Sequence, residues 1–177
     1  MATRAEPELI EGQRPFVLLP SGAVIDLANP DPQSWIDEDL AIGLSRTFRW
    51  GGHSGWPHPL SVAQHSLSVL AIRQTDEAAL EPGEALFELL HDAEEGLLGF
   101  DCIAPLKAFL GSPFATLCQK LTAAIAARYQ LPEMRPEQYR RHKAADTIAA
   151  ASEALHVARW TPGDIRSVLK IATAPLM

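Results

Sequence analysis

Ala85-Leu86-Phe87-Glu88-Leu89-Leu90-His91-Asp92-Ala93-Glu94-Glu95 is an apolar helical run that ends in metal-ligating and acid/base side chains. Burying an unpaired carboxylate costs several kcal/mol or shifts its pKa, so a core-facing helix carrying such groups commonly has a cation beside them. On a helix, His91 and Asp92 are rotated about 100° from each other and can lean toward one point. Glu95, four residues after His91, falls on the same face. Taken alone, the stretch reads equally well as a solvated helix end whose histidine is satisfied by a backbone carbonyl.

Upstream, Leu60, Ala63, Leu67, Leu70 and Ala71 recur at helical spacing and predict an amphipathic helix to about Arg73 with His65 on its flank, where a lone histidine also suits a structural role. Before it lies Arg46-Thr47-Phe48-Arg49-Trp50-Gly51-Gly52-His53-Ser54-Gly55-Trp56-Pro57-His58-Pro59, a loop by its Gly and Pro content. Loops on rigid scaffolds carry binding groups, and this one reads either as a substrate wall or as a surface loop anchored by its tryptophans. Further back, Phe16–Leu19 and Ala23–Leu27 flank Pro20-Ser21-Gly22 and predict a β-hairpin, and Ser34-Trp35-Ile36-Asp37 starts a helix carrying Leu40, Ile42 and Leu44. Residues 1–14 read as a flexible N-terminus.

Downstream, Thr75-Asp76-Glu77 and Pro82-Gly83 form a loop before one continuous helix over roughly 84–97. A short helix follows near Pro105, another opens with Ser112 as cap and Pro113 first in the helix and reaches Tyr129, and a long one spans about 137–158. Tyr139, Ala145, Ile148, Ala149 and Leu155 are its expected core residues, and Asp146 is out of keeping with its alanine-rich surroundings. Thr161-Pro162-Gly163-Asp164 opens a last helix to about Ile171. The expected fold is mostly α, six to seven helices with a small N-terminal hairpin, as a single domain over 15–177.

Among 177 residues, 47% are hydrophobic and the net charge is -7, which fits one globular core and argues against a broad basic surface for nucleic-acid polymers. The two cysteines, Cys102 and Cys118, form no CxxC pair, so neither a disulfide framework nor a thiolate zinc site is indicated. No apolar run approaches the roughly 20 residues that span a bilayer. A soluble, cytoplasmic protein without membrane contact is expected, with a homo-oligomer left open.

Together, His65, His91-Asp92 and Asp146 occupy three separate predicted helices. This order resembles the HD-domain metal-dependent phosphohydrolases, and the flanking words Arg49-Trp50-Gly51-Gly52-His53, Ser61-Val62-Ala63-Gln64-His65-Ser66, His91-Asp92-Ala93-Glu94-Glu95 and Pro105-Leu106-Lys107 are similar to its 5'-deoxynucleotidase-like branch and related phage nucleotide hydrolases. The resemblance implies an HD-domain helical bundle in which His65, His91, Asp92 and Asp146 hold one divalent ion, with Glu95 and Asp92 catalytic. It further implies substrate contacts from Arg49, Trp50 and Asp101, although Phe100 stands between Gly99 and Asp101 where the relatives run Gly-Asp.

A mixed N/O donor set suits Mn, Co, Ni, Fe, Zn or Mg. An ion so held would activate water, Glu95 would position that water or protonate the leaving 5' oxygen, and Arg49 would fork onto phosphate oxygens. Lys107 offers a second positive charge and Trp50 a flat face for a base or sugar. His53 reads as an outer contact to the metal ligands or to phosphate, His58 as surface, and His142 and His156 as solvent-facing. The expected activity is removal of the 5' phosphate from (deoxy)nucleoside monophosphates. The alternatives are a dNTP triphosphohydrolase and a non-catalytic nucleotide-binding module.

Overall fold

The computed structural model describes residues 14–75 and 80–177; the expected flexible N-terminus, except Arg14, and the loop residues Asp76-Glu77 lie outside the described residues. Strands β1 (Phe16–Leu18) and β2 (Val24–Asp26) pair antiparallel, with Phe16 opposite Asp26 and Leu18 opposite Val24. A two-stranded ribbon is marginal by itself. This one is held by Leu19, Ile25 and Leu27 in the core and by Asp39, whose two carboxylate oxygens accept from Ser21 N (2.8 Å) and Ser21 Oγ (2.7 Å). Asp39 also accepts from Ile36 N at 3.1 Å, so one buried carboxylate caps helix α1 (Asp37–Arg46) and fixes the hairpin turn.

The remaining helices are α2 (Val62–Gln74), α3 (Pro82–Leu90), α4 (Ala93–Leu98), α5 (Ala104–Leu110), α6 (Ser112–Tyr129), α7 (Pro136–His156) and α8 (Pro162–Ser167). The chain is thus mostly helical with a small N-terminal hairpin, as the sequence predicts. Pro occupies the first position of α3, α7 and α8, where its missing N–H costs nothing. In α6 the cap is Gly111, so Ser112 and Pro113 are the first two helical residues and not cap and first residue. The main core gathers Ile25, Trp35, Leu40, Leu44, Val62, Leu97, Leu121 and Ile125, and a second cluster of Val69, Ala145 and Ala149 joins α2 to α7.

The continuous helix expected over 84–97 is instead two helices, because Asp92 leaves helical geometry (φ -113°, ψ 24°). The break adds one helix and swings the Asp92 carboxylate to within 3.2 Å of His91 Nε2. Helix α2 also turns a different face inward: Val62, His65, Ser66, Val69 and Arg73 are buried, while Leu67 and Ala71 are exposed. Tyr139, expected in the core, is likewise exposed.

Helices α1 and α4 approach closely at Gly43 and Gly96, with the Leu44 side chain also packed on Gly96. A Cβ built on Gly43 would lie 2.3 Å from the Gly96 carbonyl oxygen, and one on Gly96 would lie 3.0 Å from the Leu44 nitrogen. Only glycine allows that approach.

Candidate metal centre

His65 is placed one turn into α2 by a capping box: Ser61 Oγ accepts from Gln64 N at 3.2 Å, and Ser61 N donates to Gln64 Oε1 at 2.9 Å. His91 and Asp92 occupy the break between α3 and α4, and Asp146 lies in the middle of α7. His65 Nε2 stands 3.3 Å from His91 Nε2, 3.3 Å from Asp146 Oδ1 and 3.6 Å from Asp92 Oδ2. Ligands about 2.1 Å from a common ion are separated by about 3.0 Å in octahedral cis positions and about 3.4 Å in a tetrahedron. His65, His91 and Asp146 each offer one atom within 4.8 Å of the others, and Asp92 adjoins them through both histidines, at 3.6 Å from His65 Nε2 and 3.2 Å from His91 Nε2.

The opposite ring nitrogens agree with that role. His65 Nδ1 pairs with Glu153 Oε1 at 2.6 Å and His91 Nδ1 with the Glu88 carbonyl at 2.8 Å. Each acceptor fixes the proton on Nδ1 and leaves a lone pair on Nε2, the tautomer a metal requires. The residues therefore fit a divalent cation.

The charges in the cluster stabilise one another. Burial pushes His91 down, but Asp92 more than offsets it and the imidazole rises to about 9. Burial works against the Asp92 and Asp146 carboxylates too, yet the histidines, with Arg49 at the first and Lys143 at the second, hold both far below the usual range. Lys143, whose ammonium donates to Asp146 Oδ2, competes for that ligand.

A second acidic group adjoins the first: one oxygen each from Asp92, Glu94 and Glu95 lies within 4.8 Å of the others. Burial and the Asp92 charge raise Glu94 to about 7; burial, Asp92 and Asp101 raise Glu95 to about 8 against the opposing pull of Lys107. Lys107 Nζ donates to Glu95 Oε1 at 3.0 Å, whereas Glu95 Oε2 is buried with no hydrogen-bond partner among the described residues. The helix break changes the expected geometry here, placing Glu95 with Asp92 and Lys107 and not in one ladder with His91.

Arg49 enters from a short 3-10 turn (Arg49–Gly52) whose entry is tied to the start of α2 by Arg49 N to Leu60 O (2.9 Å) and Val62 N to Thr47 O (2.9 Å). Trp50 is left-handed (φ 58°), a conformation a bulky residue rarely adopts, and its indole Nε1 is buried without a partner among the described residues. Arg49 Nε donates to Glu153 Oε2 at 2.8 Å, and its Nη1 stands 3.7 Å from Asp92 Oδ2. Asp101 is half-buried, and its charge raises both Arg49 and Glu95. His53 is exposed at the end of the turn, outside the cluster; His58 and His156 are exposed as expected.

His142 is not solvent-facing. It is buried, its Nδ1 pairs with Glu88 Oε2 at 2.6 Å, and its ring packs 4.8 Å from that of His91. Glu88, fully buried, also accepts from Arg73 Nε at 2.9 Å, so an apolar-looking position of α3 carries the hub of an ionic network behind His91. Glu88, His142 and Glu153 were all missed in the sequence. Both cysteine thiols are pushed up by burial, away from thiolate chemistry.

Fold and site together define a mostly helical protein whose histidine and carboxylate cluster is suited to a divalent cation. No family model matches the sequence. "Uncharacterized protein RCAP_rcc00048" of Rhodobacter capsulatus is 38% identical over 145 residues, covering 81% of this chain and 74% of that protein. The chain belongs to the family of that protein. Among the described residues, no helix is long and apolar enough to cross a membrane.

Proposed function

We propose that this chain is an HD-domain phosphohydrolase of the cytoplasm that uses one divalent metal ion to remove the 5' phosphate of (deoxy)nucleoside monophosphates. The carrying observation is that His65 Nε2 lies 3.3 Å from His91 Nε2 and from Asp146 Oδ1 and 3.6 Å from Asp92 Oδ2, with Arg49 Nη1 3.7 Å from Asp92 and the Glu95–Lys107 pair close by. A bound divalent cation supplies charge neutralisation at phosphorus and a water of lowered pKa. Arg49 contributes guanidinium donors to phosphate oxygens while its Nε stays on Glu153. Glu95, largely protonated at neutral pH, has an unpartnered Oε2 that suits proton donation to the leaving 5' oxygen, and Lys107 holds its other oxygen in place. Trp50, half-buried, offers an aromatic face to the nucleoside.

A triphosphate would require more cationic groups beyond Arg49 and Lys107. Of the nearest sequence candidates, Arg140 and Arg141 pair with Glu137 at the surface, which supports the shorter substrate. The test is a panel of nucleoside mono- and triphosphates with Mn²⁺ or Co²⁺, with Asp92→Ala as control. Phosphate release from monophosphates, lost in the variant, is expected. Triphosphate release would move the reading to a dNTP triphosphohydrolase, and no release from any nucleotide would leave only a binding module.

A further inference from the structure

Glu153 is 6% exposed and sits two turns beyond Asp146 on α7. Its two oxygens are divided between two functional groups: Oε1 on His65 Nδ1 at 2.6 Å, Oε2 on Arg49 Nε at 2.8 Å. Arg49 has a second acidic neighbour, Asp92, at 3.7 Å, and Asp92 is one of the four clustered donors. A guanidinium prefers a bidentate fork on a carboxylate. If Arg49 closed that fork on Asp92, it would cover a metal-binding oxygen and spend its phosphate-binding donors on the protein itself.

We infer that Glu153 is a positioning residue that holds His65 in its metal-binding tautomer and simultaneously keeps Arg49 off Asp92, so that cation binding and anion binding both depend on one carboxylate. The inference rests on the function proposed above for the choice of anion, but the geometry that carries it is independent of catalysis. The two Glu153 contacts come from separate parts of the chain, Arg49 from the 3-10 turn and His65 from α2, and Glu153 on α7 bridges them.

The test compares Glu153→Gln with Glu153→Asp. Gln is isosteric but has one acceptor oxygen for two donors, whereas Asp keeps two acceptors on a shorter stem. Mn²⁺ affinity and inorganic phosphate affinity are measured by calorimetry on full-length protein, below the melting transition of each variant. E153Q is expected to weaken Mn²⁺ binding by about tenfold or more, the usual loss for a carboxylate behind a metal-bound histidine. Phosphate binding should weaken severalfold, with E153D intermediate on both axes. Adding Arg49→Met to E153Q should recover part of the Mn²⁺ affinity and none of the phosphate affinity. Mn²⁺ affinity unchanged in E153Q would overturn the inference, as would a double variant that binds Mn²⁺ no better than E153Q. A wild type that hydrolyses no nucleotide, with E153Q still losing Mn²⁺, would overturn the proposed function and leave Glu153's role standing; active wild type with Mn²⁺ binding intact in E153Q would do the reverse.

Discussion

Replacing Glu88 by Ala probes the ionic network behind the site. Glu88 is fully buried on α3 and divides its oxygens between Arg73 Nε (2.9 Å) and His142 Nδ1 (2.6 Å). Removing one partner of a buried charge pair costs about 3–5 kcal/mol, because the other charge is left desolvated. Arg73 keeps Glu84 at 3.7 Å, which moves the expectation to the lower end, about 3 kcal/mol. For a chain of this size that corresponds to a drop in Tm of about 6–12 °C. Urea unfolding with EDTA present reads the free energy directly, and Glu137→Ala, which removes only the solvent-exposed pairs to Arg140 and Arg141, serves as the reference with an unchanged midpoint. The acceptor of His91 Nδ1 is the Glu88 backbone carbonyl, which survives the substitution, so Mn²⁺ affinity should fall by less than about tenfold. A loss of stability under about 1 kcal/mol, or a loss matched by Glu137→Ala, would refute the reasoning.

Glu95→Gln should reduce kcat on the nucleoside monophosphate by about 10²–10⁴ while Mn²⁺ affinity stays within a few-fold of wild type; an equal fall in metal affinity would mean that Glu95 is a ligand and not a proton donor. Metal-free protein should lose stability as pH rises from about 5 to 9. The folded state keeps protons on Glu94 to about 7, Glu95 to about 8 and His91 to about 9, each above its unfolded value, so the unfolded chain releases them first. The slope is about 1.4 kcal/mol per pH unit for each proton held only by the folded state, read from urea midpoints across pH, and a flat or rising profile would contradict it. Over the same range Mn²⁺ should bind more tightly, because its ligand His91 must be neutral. Gly43→Ala should cost about 3 kcal/mol in urea unfolding, since the new methyl meets the Gly96 carbonyl and α1 and α4 must separate; Gly111→Ala, which meets no atom, isolates the cost of left-handed backbone (φ 73°) from that of packing.

His91-Asp92 after Leu89-Leu90 and Asp146 among alanines stood out as polar residues in apolar runs, whereas His65, between Gln64 and Ser66, did not; the four were joined in the sequence only by the resemblance of their order to the HD-domain pattern. The helices were legible from their proline starts and turn residues. What escaped was the face each helix turns inward. On α7, His142, Asp146, Ala149 and Glu153 recur at intervals of four, three and four, a regular helical stripe that reads as solvated because three of its four members are polar. On α2 the same problem shifts the stripe, since His65, Ser66 and Arg73 are buried while Leu67 is exposed. Apolar periodicity finds a core held by dispersion; it misplaces a face whose burial is sustained by ion pairs. The break at Asp92 escaped for a related reason. Ala93 and Leu97 continue a helical pattern across it, and it is signalled neither by proline nor by glycine.

The close contact between Gly43 and Gly96 also fixes which parts of the site are able to yield. Side-chain layers between helices are deformable, because rotamers can change to absorb a shift of an ångström. Backbone resting on backbone has no such play. Helix α4, with Glu94 and Glu95 in its first turn, therefore meets a hard stop on the α1 side. On the proposed function, differences in substrate size among relatives should be written in the turn bearing Arg49 and Trp50 and in the segment bearing Asp101 and Lys107, while the glycines stay unchanged.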